Sequence, residues 1–322
     1  MESKNNWKAW LYLAPVLILL AVFTFYPIFN TFFISFMKDY NYITGTNKGF
    51  TITNYTDILI PKSGYKWGQD DGSMFYRVIN TGLLNTVLLT FVTVPISIVL
   101  SLAIAIALNS IKPLKKFFQT IFFMPYVTNA IAIGMVFAII FDSRYGIMNW
   151  VFGFGETGFP WIAPLHTQDA IVPVNYWSAF FAISFYIVWH SLPYKVLIFL
   201  GGLQNIDQQY YDAAKIDGAS RLKTTLKVTV PLLSPQILYI TITSFIGAFK
   251  EYNSVIGLFG SKAGAFDSTT GPTSMQTMVY FVYDMIAKNK VQYASAAAVI
   301  LFLIILVFTG IQAKVSKKRV HY

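Results

Sequence analysis

From Trp10 to Phe36 the chain carries no charged residue, and five further stretches are nearly as apolar: Leu84–Leu108, Phe117–Phe141, Tyr176–Leu200, Leu232–Leu258 and Tyr293–Ala313. Each supplies the ~20 mostly apolar residues that cross about 30 Å of hydrocarbon. A segment in lipid must satisfy its own backbone N–H and C=O groups, which an α-helix does. The expectation is an all-α integral membrane protein of six transmembrane helices. The first stretch is too long for a signal peptide, and no small-x-small cleavage site follows it, so it is expected to persist as a helix. Pro27, Pro95, Pro125 and Pro193 fall within spans, where neighbouring helices can satisfy the freed carbonyls and kinks are expected.

Composition agrees. Only 12% of the 322 residues are charged, half the ~25% of a soluble domain, and the mean hydropathy is +0.55. That balance excludes disorder, fibrous repeats and most soluble enzymes. The net charge of +10 raises nucleic acid as a partner, but the basic residues are dispersed rather than gathered in one patch. The absence of cysteine excludes disulfides, thiolate metal sites and cysteine catalysis.

Basic residues orient the bundle. Lys4 and Lys8, then Lys112, Lys115 and Lys116, then Lys215, Arg221, Lys223 and Lys227, then Lys314, Lys317, Lys318 and Arg319 crowd the short segments on one side. The long loops on the other side are sparser in Lys and Arg and carry Asp39, Asp57, Asp70 and Asp71. Both termini are therefore expected in the cytoplasm. The outer loops, Met37–Gly82, Asp142–Asn175 and Phe259–Gln292, are aromatic and rich in Gly and Pro (Gly153-Phe154-Gly155, Gly264, Gly271-Pro272). Loops of this length usually have a role, and a surface for an extracellular partner is one.

The inner loop from Asn205 to Pro235 has helix signals of its own. Asp207 can cap a first helix through Asp217, Gly218 suits the left-handed position that ends it, and Ser220 can cap a second. That second helix carries Leu222 and Leu226 on one face and Arg221, Lys223 and Lys227 elsewhere. Pro231 biases Val230 towards an extended conformation, and with Pro235 it marks the return to the membrane. Physics alone leaves open an ordinary amphipathic surface helix.

The residues Tyr211-Asp212-Ala213-Ala214, with Gly218 four positions on and Pro231 beyond, resemble the EAA loop of ABC-importer permeases. Asp212-Ala-Ala-Lys-Ile-Asp-Gly-Ala-Ser and Val230-Pro-Leu-Leu-Ser-Pro are similar to the carbohydrate-uptake branch, as are Leu200-Gly-Gly-Leu-Gln and the Leu88–Leu108 span. The resemblance runs from about Trp10 to Gln312, towards the larger permease of maltose-type and multiple-sugar transporters. The motif's glutamate is Asp212 here, which keeps the charge and shortens the reach by one methylene. The resemblance implies a MetI-like fold: residues 84–313 would be a five-helix core with its coupling loop at 205–231. Residues 1–83 would add a helix and an extracellular loop, and 314–322 a basic tail.

It also implies a subunit of the bacterial cytoplasmic membrane that hydrolyses nothing. Tyr211, Asp212, Ala213, Ala214, Gly218 and Ala219 would meet an ATP-binding subunit, their small side chains allowing close approach. The partners would be a second homologous permease, two copies of the ATP-binding subunit and an extracellular solute-binding protein. ATP and Mg would be used by the ATPase chains, because no Gly-x4-Gly-Lys-Ser/Thr loop occurs here; no cofactor is expected in this chain.

Polar residues inside spans are costly and tend to face a cavity. The fourth span contains Trp189-His190-Ser191-Leu192-Pro193-Tyr194-Lys195, and the fifth contains Ser244 and Phe249-Lys250-Glu251-Tyr252-Asn253. Hydroxyls, a carboxylate and aromatic faces are what a sugar site needs. The resemblance assigns sugar contacts to His190, Ser191, Tyr194, Ser244, Ala248 and Glu251. Structural roles stay open: His190 as a bond to a neighbouring helix, Lys195 snorkelling or pairing internally, and Lys250 pairing with the second permease. Lys250 and Glu251 would project about 100° apart from one helix. His166, His190 and His321 form no metal-spaced pair and no nucleophile–base motif occurs. The alternatives are an importer of glycerol phosphate or another anionic solute, an ion-coupled secondary transporter, and a membrane enzyme.

Overall fold

The computed structural model describes residues 6–66, 72–111, 115–154, 159–162, 174–260, 263 and 274–316. Lys4, Asp70, Asp71, Lys112, Gly155, His166, Gly264, Gly271, Pro272, Lys317, Lys318, Arg319 and His321 lie outside them. Among the described residues the structure is helical, with three isolated β-bridges, Met37 with Phe50, Asn41 with Thr46 and Asp142 with Ile162. In chain order the helices are α1 (Trp10–Ile34), α2 (Thr53–Leu59), α3 (Tyr76–Ser110), α4 (Lys115–Val127), α5 (Ala130–Ile140), α6 (Ile147–Val151) and α7 (Tyr176–Gln204). There follow α8 (Gln208–Ile216), α9 (Arg221–Leu232), α10 (Ser234–Phe249), α11 (Asn253–Phe259), α12 (Met278–Ala287) and α13 (Val291–Ser316).

Four of these, α1, α3, α7 and α13, are each long and apolar enough to cross a membrane; α9 and α10, bent by 68° at Leu233, make a fifth if taken together. Six continuous spans were expected, and the difference lies in two breaks. The third expected span is two helices, α4 of 13 residues and α5 of 11, separated at Thr128 and Asn129. Asn129 turns extended there, and its side-chain oxygen accepts from the N–H groups of Ile131 (2.9 Å) and Ala132 (3.3 Å). The capping amide satisfies first-turn donors inside an apolar run. At 1.5 Å per residue neither half exceeds about 20 Å. The fifth expected span ends at Phe249, and α11 begins three residues beyond Lys250. Lys250 and Glu251 therefore sit in a break rather than on a common helix.

Two other expectations are corrected. Helix α3 starts at Tyr76 rather than Leu84, its first eight residues wound as a π-helix. Arg77, Asn80 and Thr81 mask this start in a hydropathy scan, yet Asn80, Thr81, Asn85 and Thr86 are buried. Their neighbour is the segment leading into α12: Asn85 Nδ2 donates to the carbonyls of Ser274 (2.8 Å) and Gln276 (2.9 Å), and Arg77 pairs with Asp284 at 2.5 Å. Val230 is helical (φ −64°, ψ −44°), not extended. The preceding turn, Thr225–Thr229, is π-helical, and its wider spacing of carbonyls accommodates the Pro231 ring without breaking the helix.

Helices α3 and α7 form the centre and pack along most of their length. Leu89 of α3 and Ala179, Ala182 and Ile183 of α7 belong to one apolar cluster, and Ala105 and Leu108 with Val196, Phe199 and Leu200 to another. Between them α3 buries a line of small hydroxyl side chains, Thr86, Thr90, Thr93, Ser97 and Ser101. Four of the five return a hydrogen bond to a carbonyl one turn back, among them Thr93 to Leu89 at 2.7 Å and Ser97 to Val94 at 2.9 Å, so these small side chains pack closely with their protons satisfied, Thr90 excepted. Of the apolar stretch of α7, 56% of residues are buried within the protein; of α1, none are. Helix α1 thus lies on the periphery, its Leu, Phe and Ile side chains exposed as far as Phe33 as a lipid-facing helix requires, with Ile34 buried at its end. Helices α5 and α11 cross with backbones touching: a Cβ added to Gly134 would fall 2.7 Å from Gly257 Cα.

Candidate functional site: a cavity and a surface loop

The breaks and the central helices enclose one cavity of about 280 Å3, near the lower end of the ~300–1,000 Å3 range of small-ligand pockets. Ile187, His190, Ser191 and Tyr194 of α7 recur at three- and four-residue intervals, so one helix face turns them inward. Ser244 and Ala248 come from α10, Thr93 and Ser97 from α3, Tyr126 from α4, and Glu251 from the break after α10. All six residues singled out in the two spans, His190, Ser191, Tyr194, Ser244, Ala248 and Glu251, therefore line a single space. Lys195 lines it too. Lys250 is exposed and does not.

Lys195 is only 5% exposed. Its Nζ donates to Ser97 Oγ and, at 3.2 Å, to Ser191 Oγ. Both hydroxyls spend their own protons on backbone carbonyls, of Val94 and Val188, which leaves their lone pairs for the ammonium. Lys195 thereby ties α3 to α7 at the cavity wall. Glu251 is anchored differently. Its Oε1 accepts from Ser254 N–H (3.1 Å), capping the start of α11, and its carbonyl accepts from Thr277 Oγ1 (2.7 Å). The positive end of a helix and a fixed backbone hold that carboxylate in place. His190 Nε2 is buried without a hydrogen-bond partner among the described residues. Tyr194 shares a 3.0 Å hydroxyl–hydroxyl bond with Tyr239 and stacks on Tyr126, centroids 5.6 Å apart and planes 18° from parallel. The cavity so presents an ammonium, a carboxylate, an imidazole, hydroxyls and aromatic faces: donors, acceptors and flat apolar surface, with no nucleophile–base pair. Among the described residues no group of three His, Asp or Glu side chains could hold a metal ion.

Ser97, Thr93, Tyr126 and Thr243 line the cavity without having been singled out from the sequence. Thr93 and Ser97 carried a usable signal, hydroxyls four apart in an apolar span. Tyr126 carried none, in a chain where 17% of residues are aromatic.

The loop at 205–231 folds as its cap residues dictate. Asp207 accepts from Gln209 N–H (3.0 Å) to start α8, and Ser220 accepts from Lys223 N–H (3.4 Å) to start α9. Gly218 has φ +68°; its N–H reaches Lys215 O (3.0 Å), and that of Ala219 reaches Ala214 O (2.9 Å). This pair of bonds is the Schellman closure of a helix. Asp212 is exposed and bound to Lys215 (3.0 Å) and Gln208 (3.3 Å), which hold its carboxyl below the usual carboxylate range. Tyr211 accepts from Thr229 Oγ1 at 3.4 Å, bracing α8 on α9. Ala213 and Gly218 are exposed and Ala219 half-buried, whereas Ala214 is buried within this chain. Ile216 and Leu222 stand 86% and 71% exposed, an apolar surface that nothing among the described residues covers.

Residues 97–321 match the family described as binding-protein-dependent transport system inner membrane component. The chain is similar to the multiple sugar-binding transport system permease protein of Streptococcus mutans, 30% identical over 317 residues, 98% of this chain and 97% of that one. It is similar to the arabinooligosaccharides transport system permease protein of Bacillus subtilis, 28% identical over 312 residues, 95% and 88% of the two chains. Its fold is that of a chain of the bacterial alginate ABC transporter solved with an alginate pentasaccharide-bound periplasmic protein: TM-score 0.73, 17% identity, 98% and 96% covered. With seven-tenths of its length inside the matched region, this chain belongs to the binding-protein-dependent transport system inner membrane component family, as a permease subunit of an ABC importer and not an enzyme.

Proposed function

We propose that the chain is the permease through which an ATP-driven, binding-protein-dependent importer moves a sugar, in particular an oligosaccharide, across the cytoplasmic membrane. The observation that carries this reading is the single cavity in which His190, Ser191, Tyr194, Ser244 and Glu251 converge from two helices and a break. Relatives named for multiple sugars and for arabinooligosaccharides, aligned over almost the whole chain, support the cargo class. Anionic cargo is the weaker reading, because of the two lysines that could serve an anion only Lys195 lines the cavity, and Glu251 sets a carboxylate there with it.

In this reading the helices cross the membrane six times, α4 with α5 making the third crossing and α10 with α11 the fifth. Both termini and the 205–231 loop face the cytoplasm. That loop is the EAA-type contact: Asp212, Ala213, Gly218 and Ala219 meet the ATP-binding subunit, Tyr211 braces them, and Ala214 holds the helix to its own chain. The complete transporter adds a second permease, two ATP-binding subunits that use ATP and Mg, and an extracellular binding protein. Closure of the ATPase pair displaces α8 and α9, and the bend at Leu233 passes the displacement into α10 and the cavity wall.

The test is uptake by cells expressing the whole transporter. Glu251→Gln keeps the shape and one acceptor but loses the charge; a hydrogen bond to a charged group is worth ~1.5–3 kcal/mol, hence on the order of 10- to 150-fold in uptake efficiency. Tyr194→Ala should also weaken uptake, with the complex still assembled in both. Unchanged uptake kinetics in fully assembled variants would remove the cavity from the transport path.

A further inference from the structure

The chain beyond α5 is tied into a tight knot. Gly146 N–H donates to the carbonyl of Asp142 at 3.1 Å, and a Cβ added at Gly146 would collide with that oxygen, so the turn admits only glycine. Asn149, buried in α6, then uses its whole side chain. Its Nδ2 donates to the carbonyls of Asp142 and Ser143, each at 3.1 Å, and its Oδ1 accepts from Phe159 N–H and Trp161 Nε1, each at 2.9 Å. Two donors and two lone pairs are all that an amide has. Helix α6 is thereby fastened to the end of α5.

Fastening turns Met148 and Asn149 inward and leaves Ile147, Trp150 and Val151, three and four residues apart, exposed on the other side. Trp150 is 84% exposed and Tyr145, in the turn, 89%. In α5, Ala132, Met135, Val136 and Ile139 form an exposed stripe of the same spacing. No residue of α5 is polar, which suits a hydrocarbon surround. The exposed apolar surface therefore runs on along the chain from α5 into α6. One charge stands beside it. Asp142 Oδ1 is engaged by the N–H groups of Arg144 (2.8 Å) and Tyr145 (2.9 Å). The Arg144 side chain is exposed, and no ion pair among the described residues takes up its guanidinium.

These residue types identify what covers the face. Trp and Tyr gather at membrane–water boundaries, where the ring is in an apolar layer and its N–H or O–H meets water. A guanidinium matches the oxygens of a phosphate. A partner that docks and leaves, as an extracellular binding protein does, would return the same apolar face to water between encounters.

We propose that α6, with Tyr145 and Arg144, is a lipid anchor in the outer leaflet: Ile147, Trp150 and Val151 lie at the boundary of headgroups and acyl chains, and Arg144 binds lipid phosphate. The choice of leaflet follows the topology proposed above; contact with lipid does not depend on it. Helix α5, with 11 residues, is about 17 Å long and cannot set its own depth by spanning ~30 Å of hydrocarbon. The anchor sets the depth of its outer end. Gly134 of α5 meets Gly257 of α11, whose start Glu251 caps, so the break that lines the cavity is levelled against the membrane surface.

The experiment reads spin labels on the complete transporter in nanodiscs of equal parts phosphatidylcholine and phosphatidylglycerol, with any cysteines of the other subunits replaced. Ile147→Cys and Val151→Cys are compared with Thr44→Cys, in an exposed outer turn, and Ile18→Cys, in the middle of α1. Both patch labels should collide with oxygen more often than with an aqueous nickel chelate, at a depth of about 5–10 Å, between the two references. Trp150→Ser should shift the Val151 label towards water, and Trp150→Tyr should leave it in place. Nickel accessibility equal to that at Thr44 would put α6 in water and overturn the anchor. Low accessibility to both reagents would mean that protein, the second permease above all, covers the face, and overturns it equally. A Val151 label unmoved by Trp150→Ser would show a face that touches lipid without being held there, and the anchor fails. Should Val151→Cys assemble poorly, Ile147→Cys is read in the same way. None of these results bears on the cavity, which stands or falls with uptake by the Glu251 and Tyr194 variants.

Discussion

An ammonium inside a membrane protein is costly unless its charge is shared, and Lys195 shares it with two neutral hydroxyls, of Ser97 and Ser191. Among the described residues no carboxylate lies within ion-pair distance of it. Stability gains little from such an arrangement, since desolvating a charge is costly and even a complete buried ion pair can often be replaced by apolar residues of similar volume without loss. The residue is better explained by its place on the cavity wall, where, on the importer reading proposed above, its remaining N–H would serve a polar cargo. Lys195→Met preserves the stem and removes the charge. The expected outcome is an unchanged or raised melting temperature of the detergent-purified complex with uptake at least about 10-fold lower, the worth of a charged hydrogen bond. A melting temperature lowered by several degrees with uptake preserved would make Lys195 a strut between α3 and α7 and nothing more.

At the level of elements, the loop from Asp207 to Pro231 has its shape written in its caps. Asp207, Gly218 and Ser220 each do what their side chains, or the lack of one, require, and all three are legible in the sequence. No atom lies within 4 Å of a Cβ added at Gly218, yet φ +68° disfavours any L side chain there, by about 1–2 kcal/mol. A valine would strain the turn between α8 and α9 and project into the empty space where a partner is proposed to sit. Gly218→Val should therefore insert into the membrane in normal amount while recovery of the ATP-binding subunit in pull-downs falls by more than half, and uptake with it. Normal recovery would detach this loop from the ATPase. The breaks were harder to see. Asn129 lies in an otherwise apolar stretch, and only the backbone donors it satisfies reveal it as a cap; Lys250 and Glu251 read as costly helical residues when they stand where the helix has ended. Hydropathy sums over ~20 residues cannot register a three-residue interruption.

Across the whole molecule, apolar length sufficed for the all-helical membrane class, while the inward residues of α7 were picked out as polar residues within a span and through the resemblance. Apolar length failed at the start of α3, because Arg77 and Asn85 find partners in Gln276, Asp284 and the carbonyl of Ser274, about two hundred residues away; a polar residue satisfied at such range looks like a loop residue locally. Orientation rests on the charge distribution. With Thr44 exposed in the first outer loop and Ser220 exposed at the start of α9, single cysteines at these two positions, in a chain with none of its own, should label differently. An impermeant maleimide added to intact cells is expected to modify Thr44→Cys and to leave Ser220→Cys unreacted until the cells are opened. The reverse pattern would invert the protein in the membrane.

The glycine crossing of α5 and α11 bears on how such a chain is made. Helix α5, at 11 residues, is too short to reach across the bilayer, and α11, at seven, is shorter still. Each leaves the ribosome as a fragment that lipid alone cannot hold upright, and Gly134 has to wait while the whole of α7 to α10 is synthesised before Gly257 arrives to meet it. Until then the first fragment is a transient guest in the membrane. The two bare backbones give the late-arriving helix a flat place to settle, so this docking needs contact and no rearrangement of the crossing itself.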